Sequence, residues 1–212
     1  RGDRPVEEFT TEAEKELNVK KIIALAGGLL AAAMLTGCAH PIAISTDTAP
    51  DRVESQLVPK KVAYVMTDAD RGKQVTTPGG GGDNVSYYPY RDLEKSIRDA
   101  LRANYSEVVV LRSATDGNAV QTSGASYVFT PQIKTDSSSP SPFTWPPTVF
   151  TTEVSCVVTD PTGIEITRIK AIGNGKAEFD EFKSDFGLSA RRASTDVAIK
   201  LAEEIKKNQR VC

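Results

Sequence analysis

The chain has 212 residues, with 26 Lys and Arg against 28 Asp and Glu, a formal charge of −2 and a single histidine. Near-balanced charge leaves no basic excess to attract nucleic acid and no acidic tail. With His40 as the only imidazole, no Ser-His-Asp or Cys-His arrangement and no zinc site of the usual ligand types can be assembled, so no catalytic residue, metal or cofactor is assigned.

Residues 1–19 are acidic, begin without Met and fit no secretion signal. They are expected to be a pre-signal extension, either an artefact or a misassigned start, with Val19 the first residue of the true reading frame. Lys20 and Lys21 then precede a wholly apolar run from Ile22 to Leu35, and Thr36 and Gly37 are small. A charged, an apolar and a small-residue region in that order describe a secretory signal. The run of 14 residues falls short of the ~20 that a helix needs to cross a membrane, and it lacks the polar face of a packed amphipathic helix. Residues 20–37 are therefore read as a signal peptide.

The ending Leu35-Thr36-Gly37-Cys38 resembles the lipobox of bacterial lipoproteins. The resemblance implies cleavage before Cys38, a diacylglycerol thioether on its sulfur and an acylated amine. Two or three acyl chains hold lastingly where one does not. Ala39 rather than Asp follows the cysteine, which in such lipoproteins implies the periplasmic face of the outer membrane. Starting at Cys38, the chain would carry 21 basic and 22 acidic residues and be long enough for one domain with a real core.

Residues 38–60, with Pro and small polar residues and no sustained period, read as a lipidated tether; residues 61–212 read as a periplasmic α/β domain. Lys61 to Asp68 is the first strand. Asp68 to Lys73 lacks the ligands of a calcium loop and reads as a β-turn. The stretch PGGGGDN lacks the Lys and Ser/Thr that close a phosphate loop, so nucleotide binding is excluded and a flexible glycine hinge is expected.

Leu93, Ile97, Ala100 and Leu101 recur at helical spacing from Pro89 to Ala103, with Pro89 in the first turn and Asn104 as the expected cap. A strand from Ser106 follows almost at once, and strand–helix–strand predicts a parallel pair. Residues 125–136 place Tyr127, Phe129 and Ile133 on one face, with Pro131 demoting the strand towards an edge. Phe150, Thr152, Val154, Cys156 and Val158 alternate in the next strand, and Asp160-Pro161-Thr162-Gly163 is a turn. The returning strand breaks alternation between Ile166 and Ile169, which predicts a bulge.

In the last helix Ala190, Ala193, Val197, Leu201 and Ile205 form one stripe, with Ser189 as the expected N-cap. Lys206, Lys207 and Arg210 favour its C-terminal end. The fold expected is an α/β two-layer sandwich, a mixed sheet of about five strands with two amphipathic helices on one face. This layout, with its YYPYRDLEKSIRDAL helix and a final helix after a hairpin, resembles small outer-membrane lipoproteins of the YajG type. The resemblance implies an envelope location and brings no catalytic residue.

Three groups of residues are candidates for function. Cys38 is the lipidation site. Cys156 and Cys212 are either bridged in an oxidising compartment, closing a loop of about 56 residues for ~4 kcal/mol, or two unrelated thiols. Tyr87, Tyr88, Tyr90, Phe143 and Trp145 are either partner contacts or rings that close the core. The function expected is a non-enzymatic, lipid-anchored accessory module. It would be tied to the membrane by its lipid and would meet an envelope protein partner. The alternatives are a lipid or small-molecule carrier serving an ABC-type transport system, with an apolar cleft between helices and sheet, and a hydrolase using two carboxylates.

Overall fold

The computed structural model describes residues 39–182 and 184–212; Cys38, the signal-like run and the acidic extension lie outside the described residues. Strand β1 (His40–Pro41) opens the described chain, followed by β2 (Val58–Val65), helix α1 (Asp68–Gly72), β3 (Val75–Pro78) and β4 (Asn84–Tyr87). Helix α2 (Pro89–Arg102), β5 (Tyr105–Leu111), α3 (Gly117–Ser123), β6 (Tyr127–Ser138), β7 (Val149–Thr159) and β8 (Glu165–Lys176) come next. The chain ends with α4 (Phe179–Phe182) and α5 (Leu188–Lys207). Five strands form one mixed sheet in the order β5-β2-β6-β7-β8, and β1-β4-β3 form a smaller one.

Alternation decides which face is covered. In β7 the residues Phe150, Thr152, Val154, Cys156 and Val158 are at most 1% exposed, while their neighbours on the other face are half-buried. A period of two against a covering layer requires this pattern. The cover is α2, through Leu93, Ile97 and Leu101, and α5, through Val197, Leu201 and Ile205, packed on Tyr64, Phe129 and Val154. The α/β sandwich with two helices on one face of a five-stranded sheet is therefore present, and β2 and β5 pair in parallel around α2 as expected.

Additional elements accompany this frame. Helix α3 places Val120 on the opposite face with Ala63, Val65 and Val128. One buried residue in two turns leaves no periodicity to read. The long glycine-rich stretch holds α1 and the β3–β4 hairpin, in place of a β-turn and a hinge: Thr67 caps α1, accepting from Asp70 N while the Asp70 carboxylate accepts from Thr67 N.

Four local expectations change. The segment read as a tether lies against the domain from residue 39 onward: Ile44 is fully buried, Thr46 hydrogen-bonds Thr195 at 2.8 Å, and Arg52 donates to the carbonyls of Arg102 and Tyr105. Strand β6 is interior rather than an edge despite Pro131, because β2 pairs it only over Tyr127 to Phe129. The Ile133 N–H, on the same side as the missing Pro131 N–H, points away from β7 and donates to the Tyr90 hydroxyl; the proline therefore leaves no ladder bond unmade. Ser189 lies inside α5, whose N-cap is Gly187, and its buried hydroxyl donates to Pro147 O at 2.7 Å. Asn104 follows the C-cap Ala103 and ties the two helices, its amide donating to Ala100 O and Ala202 O, each at 3.0 Å.

The bulge falls where alternation broke, since Val158 pairs Thr167 and Thr159 pairs Glu165, leaving Ile166 extra. At the Asp160–Gly163 turn, Gly163 has φ 90°, the left-handed conformation that glycine adopts without strain. Further along β8 the inward residues shrink from Ile169 through Ala171 to Gly173 and Gly175. A Cβ at either glycine would strike the carbonyls of Ala193 or Ser189 in α5.

The same helix closes the outer edge of β8. Asp196 accepts from Asn174 N at 2.9 Å, Lys200 donates to Ile172 O at 3.2 Å and Arg192 to Lys176 O at 2.7 Å. Beyond the helix, Arg210 reaches Ile166 O at 3.0 Å.

Candidate functional site

The two loops singled out in the sequence meet at one end of the molecule. The hairpin turn at Gly79 to Asp83 closes with Gly79 N donating to Asp83 O at 2.8 Å. It then lies down on the Pro-rich loop, with Gly80 N donating to Trp145 O at 2.8 Å and Gly81 N to Ser141 O at 3.1 Å. A Cβ on Gly79 or Gly80 would fall on the carbonyl oxygens of Trp145 or Thr144. The glycines thus permit a tight backbone contact, and Gly79 and Gly80 are buried rather than exposed hinge residues.

Strand β1 brings the start of the described chain to the same place. His40 pairs with Val85 in parallel, and its ring stacks on Trp145 with centroids 4.2 Å apart and planes at 22°. The His40 Nε2 lies 3.5 Å from an Asp83 carboxylate oxygen. Phe186 also tilts against the indole, with ring centroids 4.7 Å apart. Phe143 stands outside the stack at 92% exposure, and Phe179 and Phe186 are also exposed. Two acidic groups nearby are paired with arginines: Glu181 accepts from Arg192, and Asp185 pairs with Arg191. The Arg192 guanidinium holds the Glu181 carboxyl down to about 2.

The five aromatic candidates separate by burial. Phe143 is exposed and Trp145 half-buried, so both remain at a surface. Tyr88 is half-buried under the Arg91 guanidinium, 4.0 Å from its ring centroid. Tyr87 and Tyr90 are buried and pack in the core. The Tyr87 hydroxyl donates to Thr135 at 2.7 Å and meets Thr77 at 3.1 Å, pinning the small sheet to β6, and burial raises its pKa. His40, Asp83 and Phe186 were not chosen from sequence. They come from three separated segments, and no local pattern joins them.

The cysteines do not pair. Both are free, Cys156 buried and Cys212 exposed. Burial pushes the Cys156 thiol up to about 12, leaving it protonated and unreactive. The tail needs no bridge, because Val211 is fully buried and its carbonyl accepts from the Tyr105 hydroxyl at 3.0 Å.

A second polar cluster lies at the C-terminal end of β2. Glu94 accepts from Arg71 at 2.8 and 2.7 Å and from the Tyr64 hydroxyl at 3.1 Å. The Arg71 guanidinium holds the Glu94 carboxyl below its ordinary value, whereas burial and then the Glu94 charge raise Tyr64 to about 12. The fork clamps α1 to α2. Two open grooves of about 470 and 430 Å³ run along the outer side of α5, beneath residues 45–56. Among the described residues no three His, Cys, Asp or Glu converge as a metal site, and no helix is long and apolar enough to cross a membrane.

No protein-family model matches the chain, and no curated protein matches it. Several solved structures do. A DUF330-family protein from Xanthomonas campestris aligns with TM-score 0.47 and 10% identity over 77% of this chain and 89% of its own. The PelC dodecamer subunit of Paraburkholderia phytofirmans aligns at 0.44 and 16% identity over 76% and 96%. A candidate lipoprotein from Caulobacter crescentus aligns at 0.31 and 12% identity over 69% and 83%. Likenesses of this degree assign neither family nor function.

Proposed function

We propose that the chain is a non-enzymatic, lipid-anchored protein of the cell envelope. Acylated Cys38 holds its domain on the periplasmic face of the outer membrane and presents it to an envelope protein partner. The observation that carries this reading is the sequence Lys20-Lys21, the apolar run to Leu35, and Leu35-Thr36-Gly37-Cys38. The compact unit beginning at Ala39 supports it, because cleavage before Cys38 would spare every element of that unit. A carrier role has less support, since α2, α5 and the sheet close on one another through Ile97, Leu201 and Phe129 and the open grooves lie outside that layer.

Metabolic labelling with an alkyne fatty acid tests the anchor. The wild-type chain takes the label and fractionates with membranes, and Cys38→Ser does neither; an unlabelled, full-length, soluble wild-type chain overturns the reading. Pull-down with the acylated protein against Cys38→Ser then identifies the partner, and lipid co-purifying after gentle extraction would instead favour the carrier.

A further inference from the structure

Covalent geometry limits how far this domain can stand from its anchor. His40 is already paired in β1 and stacked on Trp145, and it is two residues from Cys38. Two residues of extended chain span at most ~7 Å. Whatever Cys38 is embedded in, the His40 backbone is held within about that reach of it; Trp145 stacks on the His40 ring, and Phe143 is two residues from Trp145. A long flexible tether would let this end stand well off the surface; a two-residue link keeps it near.

The end so presented is the aromatic one. Phe143 is 92% exposed, Phe179 56% and Phe186 47%, and Trp145 is in ring contact with both His40 and Phe186. Aromatic and apolar side chains on a protein held at a membrane surface bury at the boundary of headgroups and acyl chains. The flanking carboxylates of Glu181 and Asp185 are paired with arginines, which lowers the charge opposing that approach.

We propose, on the reading that Cys38 is acylated, that Phe143, Phe186 and the edge of Trp145 seat in the phospholipid leaflet that holds the anchor. The loop end is then a second membrane contact that fixes the orientation of the domain. Acyl chains supply attachment and the aromatic residues supply the angle. Partner contacts are left to the faces turned towards the periplasm.

Trp145 is the only tryptophan in the chain, so its emission reports the end directly. The experiment reconstitutes the acylated protein in vesicles of phosphatidylethanolamine and phosphatidylglycerol, with and without lipids brominated near the headgroup. It then repeats the measurement with Phe143→Trp in a Trp145→Phe background, which moves the fluorophore to the exposed tip. An interfacial residue lies ~5–10 Å into the boundary, so both proteins shift to shorter wavelength and brominated lipid cuts their emission about twofold. Phe143→Ser, on an exposed position, weakens the quenching of Trp145 while the protein still floats with the vesicles.

Flotation without shift or quenching overturns the seating and leaves the anchor standing. Absence of the acyl mass on Cys38 overturns the anchor and the seating together. A blue shift of Cys38→Ser that grows with protein concentration in vesicle-free buffer assigns the end to a second copy and overturns the bilayer reading.

Discussion

Gly173 and Gly175 in β8, and Gly79 and Gly80 in the hairpin turn, do the same mechanical work in opposite settings. Each pair removes side chains where another backbone must lie: the carbonyls of α5 in the first case, those of the Trp145 loop in the second. In β8 the contact lies in the main core, beside Ala190, Ala193 and Val197. In the hairpin it joins two loops by a few backbone bonds. The difference teaches that close approach is a local device whose energetic weight comes from the apolar surface behind it. Substitutions should therefore separate stability at β8 from geometry at the loop end.

The harshest test is Gly175→Val. Overpacking costs ~1–3 kcal/mol and lifts the N-terminal half of α5. Urea denaturation should show a lower midpoint with little change in slope, and an unchanged midpoint would remove α5 from the contact. Gly80→Val should cost about 1 kcal/mol or less of global stability, because loops open at the low end of the local scale. Its larger effect is on Trp145, whose emission moves to longer wavelength and becomes more accessible to acrylamide. If Gly80→Val lowers the urea midpoint as much as Gly175→Val, the loop end belongs to the core and the contrast fails.

The Arg71–Glu94 fork belongs to neither glycine contact and adds a titratable reference. The Glu94 carboxyl is held below its ordinary value by Arg71, so its contribution is present above the unfolded carboxylate range and is lost as pH falls through the folded value. Glu94→Gln should flatten the acid limb of stability below about pH 5. The amplitude should be ~0.2–1 kcal/mol, since the pair is partly exposed. A variant with the wild-type acid limb would show that the fork contributes nothing.

The smallest effect is expected at the C-terminus. Cys212→Ser should leave the urea midpoint where it is, whereas with a bridge to Cys156 the substitution would lower the unfolding free energy by ~4 kcal/mol and the midpoint with it. In the native protein a thiol reagent should modify Cys212, and Cys156 only after unfolding. Protection of both thiols would restore the bridge.

The large sheet and its two helices were legible because each carries a long one-faced pattern. Val154, Cys156 and Val158 alternate for a strand, and Val197, Leu201 and Ile205 repeat for a helix. What escaped was short or non-local. Helix α3 shows one buried residue, Val120. The small sheet pairs His40 with Val85, 45 residues later, and nothing near either position announces it. Pro131 misled because the rule against proline in interior strands concerns a missing donor, and here β2 leaves β6 before that donor is needed. At the aromatic end the sequence marked Phe143 and Trp145 as rings on a loop. It could not reveal that a histidine from the start of the domain would be stacked beneath one of them. Tyr87 and Tyr90 looked the same as Tyr88 in the chain, and only burial separates them.

The closed border of β8 has a consequence for crowding. Bare strand borders invite copies of a chain to zip together. Here four polar side chains, from Asp196, Lys200, Arg192 and Arg210, already occupy the β8 backbone. A copy approaching the five-stranded sheet at β8 would have to displace these side chains, whereas the sheet's other border is β5.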